Sequence, residues 1–148
     1  MKFIAHRGNL YGPSPNENKP SHVDFALRAG VDAEVDVWRA DDVLYLGHDC
    51  PQYEIDETFL KQRRNRLWCH AKNKDALEWL LEHDYHVFYH DTDEYTLTSK
   101  GYVWSYPGAW VPKGGVCVMP ERVRNPEEYI KKQVSIFAIC SDYVKYCS

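Results

Sequence analysis

The chain has no excess of basic residues. Its 18 Lys and Arg are outnumbered by 22 Asp and Glu, for a formal net charge of −4. A nucleic-acid binder normally shows a basic footprint, so that class of partner is set aside. No apolar run approaches the ~20 residues that span a bilayer, so no transmembrane segment is expected. The opening MKFIAHRGN meets charge and polarity straight after Phe3, Ile4 and Ala5, which is not the pattern of a secretory leader. The five cysteines (Cys50, Cys69, Cys117, Cys140 and Cys147) are odd in number and contain no CxxC pair. That argues against a zinc ribbon or a disulfide framework, and they read as reduced thiols in a cytoplasmic setting. Low-complexity segments and linkers are missing too, which points to a single domain over 1–148.

What is present is an ordinary globular mixture, 44% hydrophobic and 27% charged over 148 residues. A chain of this length can bury roughly 70% of its unfolded surface. Aromatic residues reach 14%, with five Trp and eleven Tyr, enough for an aromatic-rich core or an exposed face for a partner. Short β-type runs predict strands at Lys2–His6, Ala33–Trp38, Leu67–Lys72, His86–His90, Tyr102–Tyr106, Gly115–Met119 and Ile136–Ser141. Val43–Gly47 reads as a hairpin-like excursion. Between the strands lie helix signals. Asn18 is placed to cap a helix with Pro20 in its first turn, apolar Val23, Ala26 and Leu27, and Gly30 at its end. Asn73 caps Lys74–His83, where Ala76, Leu77, Leu80 and Leu81 follow helical spacing. Asp93 starts a short helical turn closed by Gly101, and Asn125 starts Pro126–Gln133, with glutamates where the helix dipole favours them. This alternation favours an α/β fold with a parallel sheet. In the second half, strand starts lie only 13 to 21 residues apart, too close for a full strand–helix unit each time. A (β/α)₈ barrel typically needs ~250 residues, so a barrel reading has to accept missing or vestigial helices.

Three groups of residues carry chemistry. Glu34 and Asp36 are i and i+2 on a strand and share a face, while Ala33, Val35 and Val37 take the other. Two carboxylates side by side on an inward face repel each other and resist desolvation unless a cation sits between them. The plainer alternative is a pair of surface carboxylates on an edge strand. His6-Arg7-Gly8 closes the first strand: a guanidinium offers forked donors to phosphate oxygens, and glycine allows close backbone approach. A structural histidine beside a surface arginine accounts for the same residues. His48 follows another short strand, and a pair of histidines suits phosphodiester cleavage, one taking a proton and the other giving one. His70 and Lys72 again share a face. Lys72 can hold a phosphate as a point charge, while His70 is either a metal ligand or a buried polar side chain. His90-Asp91 at the end of the fourth strand either lines the same mouth or, the favoured reading, is a chance adjacency, and His22, His83 and His86 read as structural or surface residues.

Taken in order, IAHRGN, NEN, GVDAEVDVW and LGHD resemble the N-terminal half of glycerophosphodiester phosphodiesterases. That family shows an HRG turn, a PENT-like segment, an E-x-D strand and an HD pair. The match covers Phe3 to Asp49, a third of the chain, with fainter similarity at LWCHAKN (the family's E-x-K strand) and AICSDYV (its closing strand). The resemblance implies a compact, shortened TIM-type (β/α) barrel with reduced or missing helices in its second half. It also implies hydrolysis of small phosphodiesters at a divalent-metal site. By position, His6 and His48 would be the acid/base pair, Arg7 and Lys72 the phosphate ligands, and Glu34 and Asp36 the metal ligands.

The departures are informative. The Glu of E-x-K falls on His70, an imidazole in place of a carboxylate. With His70 as third ligand, the expected ion is magnesium, calcium or manganese, with zinc admitted by the softer nitrogen donor. Asp49 or Glu17 could add an oxygen. Thr of PENT is replaced by Lys19, so the cap there must come from Asn18. The missing residues of the second half imply an open mouth, a small substrate, or a pocket completed by a second subunit. An incomplete barrel also leaves strand edges to cover, for which a homodimer through Trp104, Tyr106 and Trp110 is one solution. The rival function is a degenerate barrel that binds a phosphorylated or sugar ligand without cleaving it.

Overall fold

The computed structural model describes residues 1–147; Ser148, the last position of the expected domain, lies outside them. The chain begins in the middle of its sheet. β1 (Lys2–Ala5) runs parallel to β2 (Asp32–Ala40) on one side and to β10 (Ala138–Ser141) on the other. β3 (Val43–Leu46) and β4 (Tyr53–Ile55) double back antiparallel from the far end of β2. β5 (Leu67–Ala71) lies parallel along the other edge of β2, and β6 (Val87–Phe88) lies beside β5. On the opposite wing, β9 (Val116–Val118) follows β10, β8 (Val103–Ser105) follows β9, and β7 (Tyr95–Leu97) ends the sheet as an antiparallel edge. The path β4-β3-β2-β1-β10-β9-β8-β7 forms one curled sheet, with β5 and β6 branching from β2.

Among the described residues five short α-helices accompany it: α1 (Pro20–Arg28), α2 (Glu57–Arg63), α3 (Lys74–Glu82), α4 (Pro126–Lys132) and α5 (Val144–Cys147). α3 forms as its pattern predicts. Asn73 accepts a hydrogen bond from the Ala76 amide, and Ala76 and Leu80 are fully buried, whereas Leu81 faces outward. Together with Val23 of α1 and Leu60 of α2 they cover the outer face of the sheet, meeting Val35, Val37, Cys69 and Val87. Removing a side chain such as Leu80 from this layer costs about 2–5 kcal/mol. The inner, concave face carries Ile4, Trp68, Phe88, Trp104, Val116 and Cys140.

This architecture corrects the expected TIM-type (β/α) barrel. The sheet is mixed and open: among the described residues no strand ladder joins β6 to β7 or β8. The reason is length. A parallel crossover needs a dozen or more residues, usually with a helix, and the stretch from β6 to β8 holds no helix and is taken up by β7, which pairs antiparallel with β8. The gap is instead spanned by a hydrogen bond from the Ser99 amide to the Val87 carbonyl and by the rings of Phe88 and Trp104, 4.4 Å apart. A second correction concerns Asp93–Gly101. Where a helical turn was expected, Tyr95–Leu97 form β7, because β8 offers an open edge and an alternating Tyr-Thr-Leu run can pair with it. The helix 57–63 and strand 53–55 are additions that the sequence reading did not contain.

Candidate metal and phosphate site

β2 places the two carboxylates. Its residues alternate faces, and the apolar set Ala33, Val35 and Val37 faces the outer helices, which turns Glu34 and Asp36 inward. They are 2% and 1% exposed, so the surface-pair alternative is wrong. The register of β2 with β5 sets His70 level with Asp36, and the register of β5 with β6 sets Phe88 level with His70. His70 Nδ1 is 3.2 Å from Asp36 Oδ1 and 4.0 Å from Glu34 Oε1. Glu34, Asp36 and His70 thus offer three ligand atoms within 4.8 Å of one another.

The turn after β1 brings His6 and Arg7 to the same place. Arg7 takes a left-handed conformation (φ 53°), which aims its amide at Glu34 Oε2, 3.1 Å away. Gly8 follows at φ +83°, and a Cβ there would lie 3.2 Å from the Val23 backbone of α1. The Arg7 guanidinium donates from Nη1 to Glu17 Oε2 at 2.9 Å, and its Nε stands 3.3 Å from Asp36 Oδ2 as an ion pair without hydrogen-bond alignment. His6 Nδ1 lies 2.7 Å from Asp142 Oδ1, and its Nε2 lies 3.9 Å from Glu34 Oε2.

Asp142 and Asn9, which have no role in the sequence reading, hold this arrangement together with Asn18, whose role differs from the expected one. Asp142 fixes His6 and also accepts from Asn9 Nδ2 at 2.8 Å. Asn9 in turn donates to Glu17 Oε1 and accepts from His22 Nε2. Asn18 is not the helix cap expected of it. Lys19 occupies that position without a side-chain cap, while buried Asn18 donates to Asp36 Oδ2 at 2.8 Å and accepts from the Asp36 amide at 2.9 Å. A buried carboxylate needs satisfied oxygens more than a solvated helix end needs a cap. Asn125, just ahead of α4, likewise makes no side-chain cap bond. Glu17 does not face the cluster as an extra oxygen ligand, since both its oxygens are spent on Arg7 and Asn9.

The electrostatics divide the carboxylates. Burial pushes Glu34 above the ordinary 4.5, and the charge of Asp36 adds to this against the pull of His6, His70 and Arg7. Burial works the same way on Asp36, but contacts with His70, Arg7 and Asn18 outweigh it and bring Asp36 down to about 2. Burial disfavours the His6 imidazolium, yet the Asp142 hydrogen bond and the Glu34 charge prevail and raise His6 above 6.5. Burial also opposes the charge on Asp142, and its bonds from His6 and Asn9 overcome that and hold it below 3.8. Asp142 is therefore the ionised acceptor, His6 Nδ1 the donor, and His6 Nε2 the nitrogen left for chemistry.

His6, Arg7, Glu34, Asp36, His48 and His70 line one cavity of about 130 Å³. The rest of its wall includes Phe88, His90, Trp104 and Met119. The histidine pair is therefore brought to one cavity, although the His48 side chain is 42% exposed and its Nδ1 pairs with Asp49, itself on the surface. Lys72 lies outside this wall, with its Nζ 4.0 Å from Asp36 Oδ1, as a partner of the carboxylate. His90 belongs to the wall, so of its two readings the less favoured one, lining the mouth, is the one that holds. Its signal was its position two residues after Phe88 on the inward face. Of the aromatic residues considered for a subunit contact, Trp104 is buried in the interior, whereas Tyr106 and Trp110 are exposed. No helix among the described residues is long and apolar enough to cross a membrane. Comparison with protein-family models, with characterised proteins and with solved structures finds no match to this chain.

Proposed function

We propose that this protein is a metal-dependent phosphoric diester hydrolase acting on a small phosphodiester. The observation that carries this reading is the convergence of Glu34, Asp36 and His70 beside His6 in one cavity. Two buried carboxylates and an imidazole form a donor set that suits a divalent ion. The raised pKa of Glu34 is the expected mark of a buried carboxylate that is further crowded by its neighbour. When bound there, the ion would neutralise charge that develops on a non-bridging phosphate oxygen.

The chain's own residues supply the rest. Arg7 has donors beyond those spent on Glu17, and they orient the phosphate at the rim. Asp142 holds His6 in the tautomer that leaves Nε2 facing the cavity. His6, favoured as imidazolium, gives its proton to the oxygen of the departing alcohol. His48 accepts a proton from water as the water oxygen bonds to phosphorus and the bond from phosphorus to the departing oxygen breaks. The products are an alcohol and a phosphomonoester. A cavity of about 130 Å³ is below the ~300 Å³ at the low end for drug-sized ligands, which favours a small diester.

Steady-state assay of bis(p-nitrophenyl) phosphate with magnesium or manganese tests the proposal. His6→Ala and His48→Ala should each lower kcat by about 10²–10⁴. Unchanged turnover in both variants would overturn it.

A further inference from the structure

His70 brings a nitrogen donor to a pair of carboxylates, and its ring is held by its neighbours. Its plane lies 11° from that of Phe88 with centroids 5.0 Å apart, and 4° from that of His90 with centroids 4.7 Å apart. Phe88 and His90 are themselves within 10° of parallel at 6.0 Å. All three rings share one orientation, so His70 cannot tilt out of that plane without losing both stacks, and the approach to Asp36 selects which edge of the ring carries the nitrogen inward. That orientation is the one in which Nδ1 faces Asp36 and Glu34 at 3.2 and 4.0 Å. Both separations fit two donors sharing one ion, since donors each about 2.2 Å from it lie at most ~4.4 Å apart. The His90 ring packs flat against His70 on one cavity wall.

We infer that the cluster is specialised for a divalent ion that accepts imidazole nitrogen, zinc or cobalt before magnesium or calcium, and that His90 and Phe88 are positioning residues that hold His70 in its coordinating orientation. This rests on the metal site proposed above but not on the phosphodiester chemistry. Hard cations such as calcium and magnesium take oxygen ligands, and a rigid imidazole is of little use to them. Imidazole suits zinc and its neighbours, with manganese weakest in the first-row order. Groups that orient a ligating histidine typically contribute 10–100-fold to metal affinity. A stack of two flat rings does here what a second-layer hydrogen bond does elsewhere.

Calorimetric titration of the whole chain with zinc, cobalt, manganese, magnesium and calcium separates the parts. Native protein should bind zinc and cobalt at least ~10-fold tighter than magnesium or calcium. Because zinc generally outranks magnesium at many sites, the deciding quantity is the change in that ratio. His70→Glu should reduce the zinc-to-magnesium ratio by at least ~10-fold. Loaded with Mn²⁺, the native protein should show coupling to a directly bound ¹⁴N by pulsed electron paramagnetic resonance, absent in His70→Glu. His90→Ala should weaken zinc binding about 10-fold, and His90→Phe, which keeps a flat ring, should restore it. His90→Leu fills the space without a flat ring and should behave as His90→Ala, with the metal-free melting temperature of each variant reporting on folding. A zinc-to-magnesium ratio unmoved by His70→Glu would overturn the metal preference. Native affinity in folded His90→Ala and His90→Leu would overturn the positioning role. Absence of any metal binding to native protein would overturn both this inference and the metal part of the proposed function. Selective metal binding without diester turnover would overturn the proposed function alone.

Discussion

The concave face of the sheet has two ends with opposite chemistry, although the same strands build both. β5 contributes Trp68 to one end and His70 to the other, two residues apart; β6 contributes Phe88, and His90 follows two residues on. At the first end Trp68 packs at a tilt against His86, with centroids 4.1 Å apart, and lies near Tyr102, Trp104 and Phe137, with its indole N–H on Asp32. This end is filled and its polar atoms are largely satisfied. At the other end Glu34 and Asp36 crowd together, and cations and imidazoles surround them. Two histidines measure the difference. Burial, helped by Lys100, drives His86 down to about 4, whereas the carboxylate company of His6 reverses the same burial effect and raises it. One end is built for stability. The other keeps like charges together at a cost, the usual trade at a functional site.

Substitutions at the two ends should therefore fail in different ways. The largest effect is expected for Asp36→Ala. It should abolish cation binding and also cost about 3–5 kcal/mol of metal-free stability, because Arg7 and His70 lose a buried partner; calorimetry and chemical denaturation read the two losses. Trp68→Ala should cost a similar ~3–5 kcal/mol, yet the folded fraction should bind zinc with native affinity. Equal loss of metal affinity in this variant would erase the distinction between the ends.

The pH response should differ in sign. His86 is held below its unfolded 6.5, so the unfolded state binds the proton first, and stability is lost as pH falls from 6.5 toward 4. His86→Phe should flatten that acid limb of a melting-temperature profile. His6 is raised, so its contribution is complete below 6.5 and is lost as pH rises through its folded pKa. Asp142→Asn should remove that alkaline loss and lower the His6 pKa seen by NMR. The smallest effect on stability is expected for Glu34→Gln. Relieving the crowded pair should raise metal-free stability by about 0.5–2 kcal/mol while cation binding is lost, a gain of the kind common when functional strain is removed.

Much of the site was legible because strand geometry has a period of two. Glu34 with Asp36, and His70 with Lys72, could be put on shared faces without coordinates, and the HRG turn could be placed at the end of β1. What escaped were partners brought in from a distance. Asp142 meets His6 across 136 positions of sequence, and no local pattern announces such a contact. Asn18 looked like a helix cap because the cap rule is local, whereas its actual partner lies on β2. Lys72 shares the inward face but reaches Asp36 from outside the cavity, a difference of side-chain path that alternation alone does not resolve.

The sequence by itself determined most of the strands, though not β4 or β7, and the inward aim of the acidic pair, because side-chain alternation and the burial of Val and Ala on one face are short-range effects. Tertiary structure decided the rest. An open curl replaced a closed barrel because the connections in the second half are too short to complete one. The Asp142 and Asn18 anchors, and the ring stack that orients His70, arise where distant segments share one buried space and every polar atom there seeks a partner.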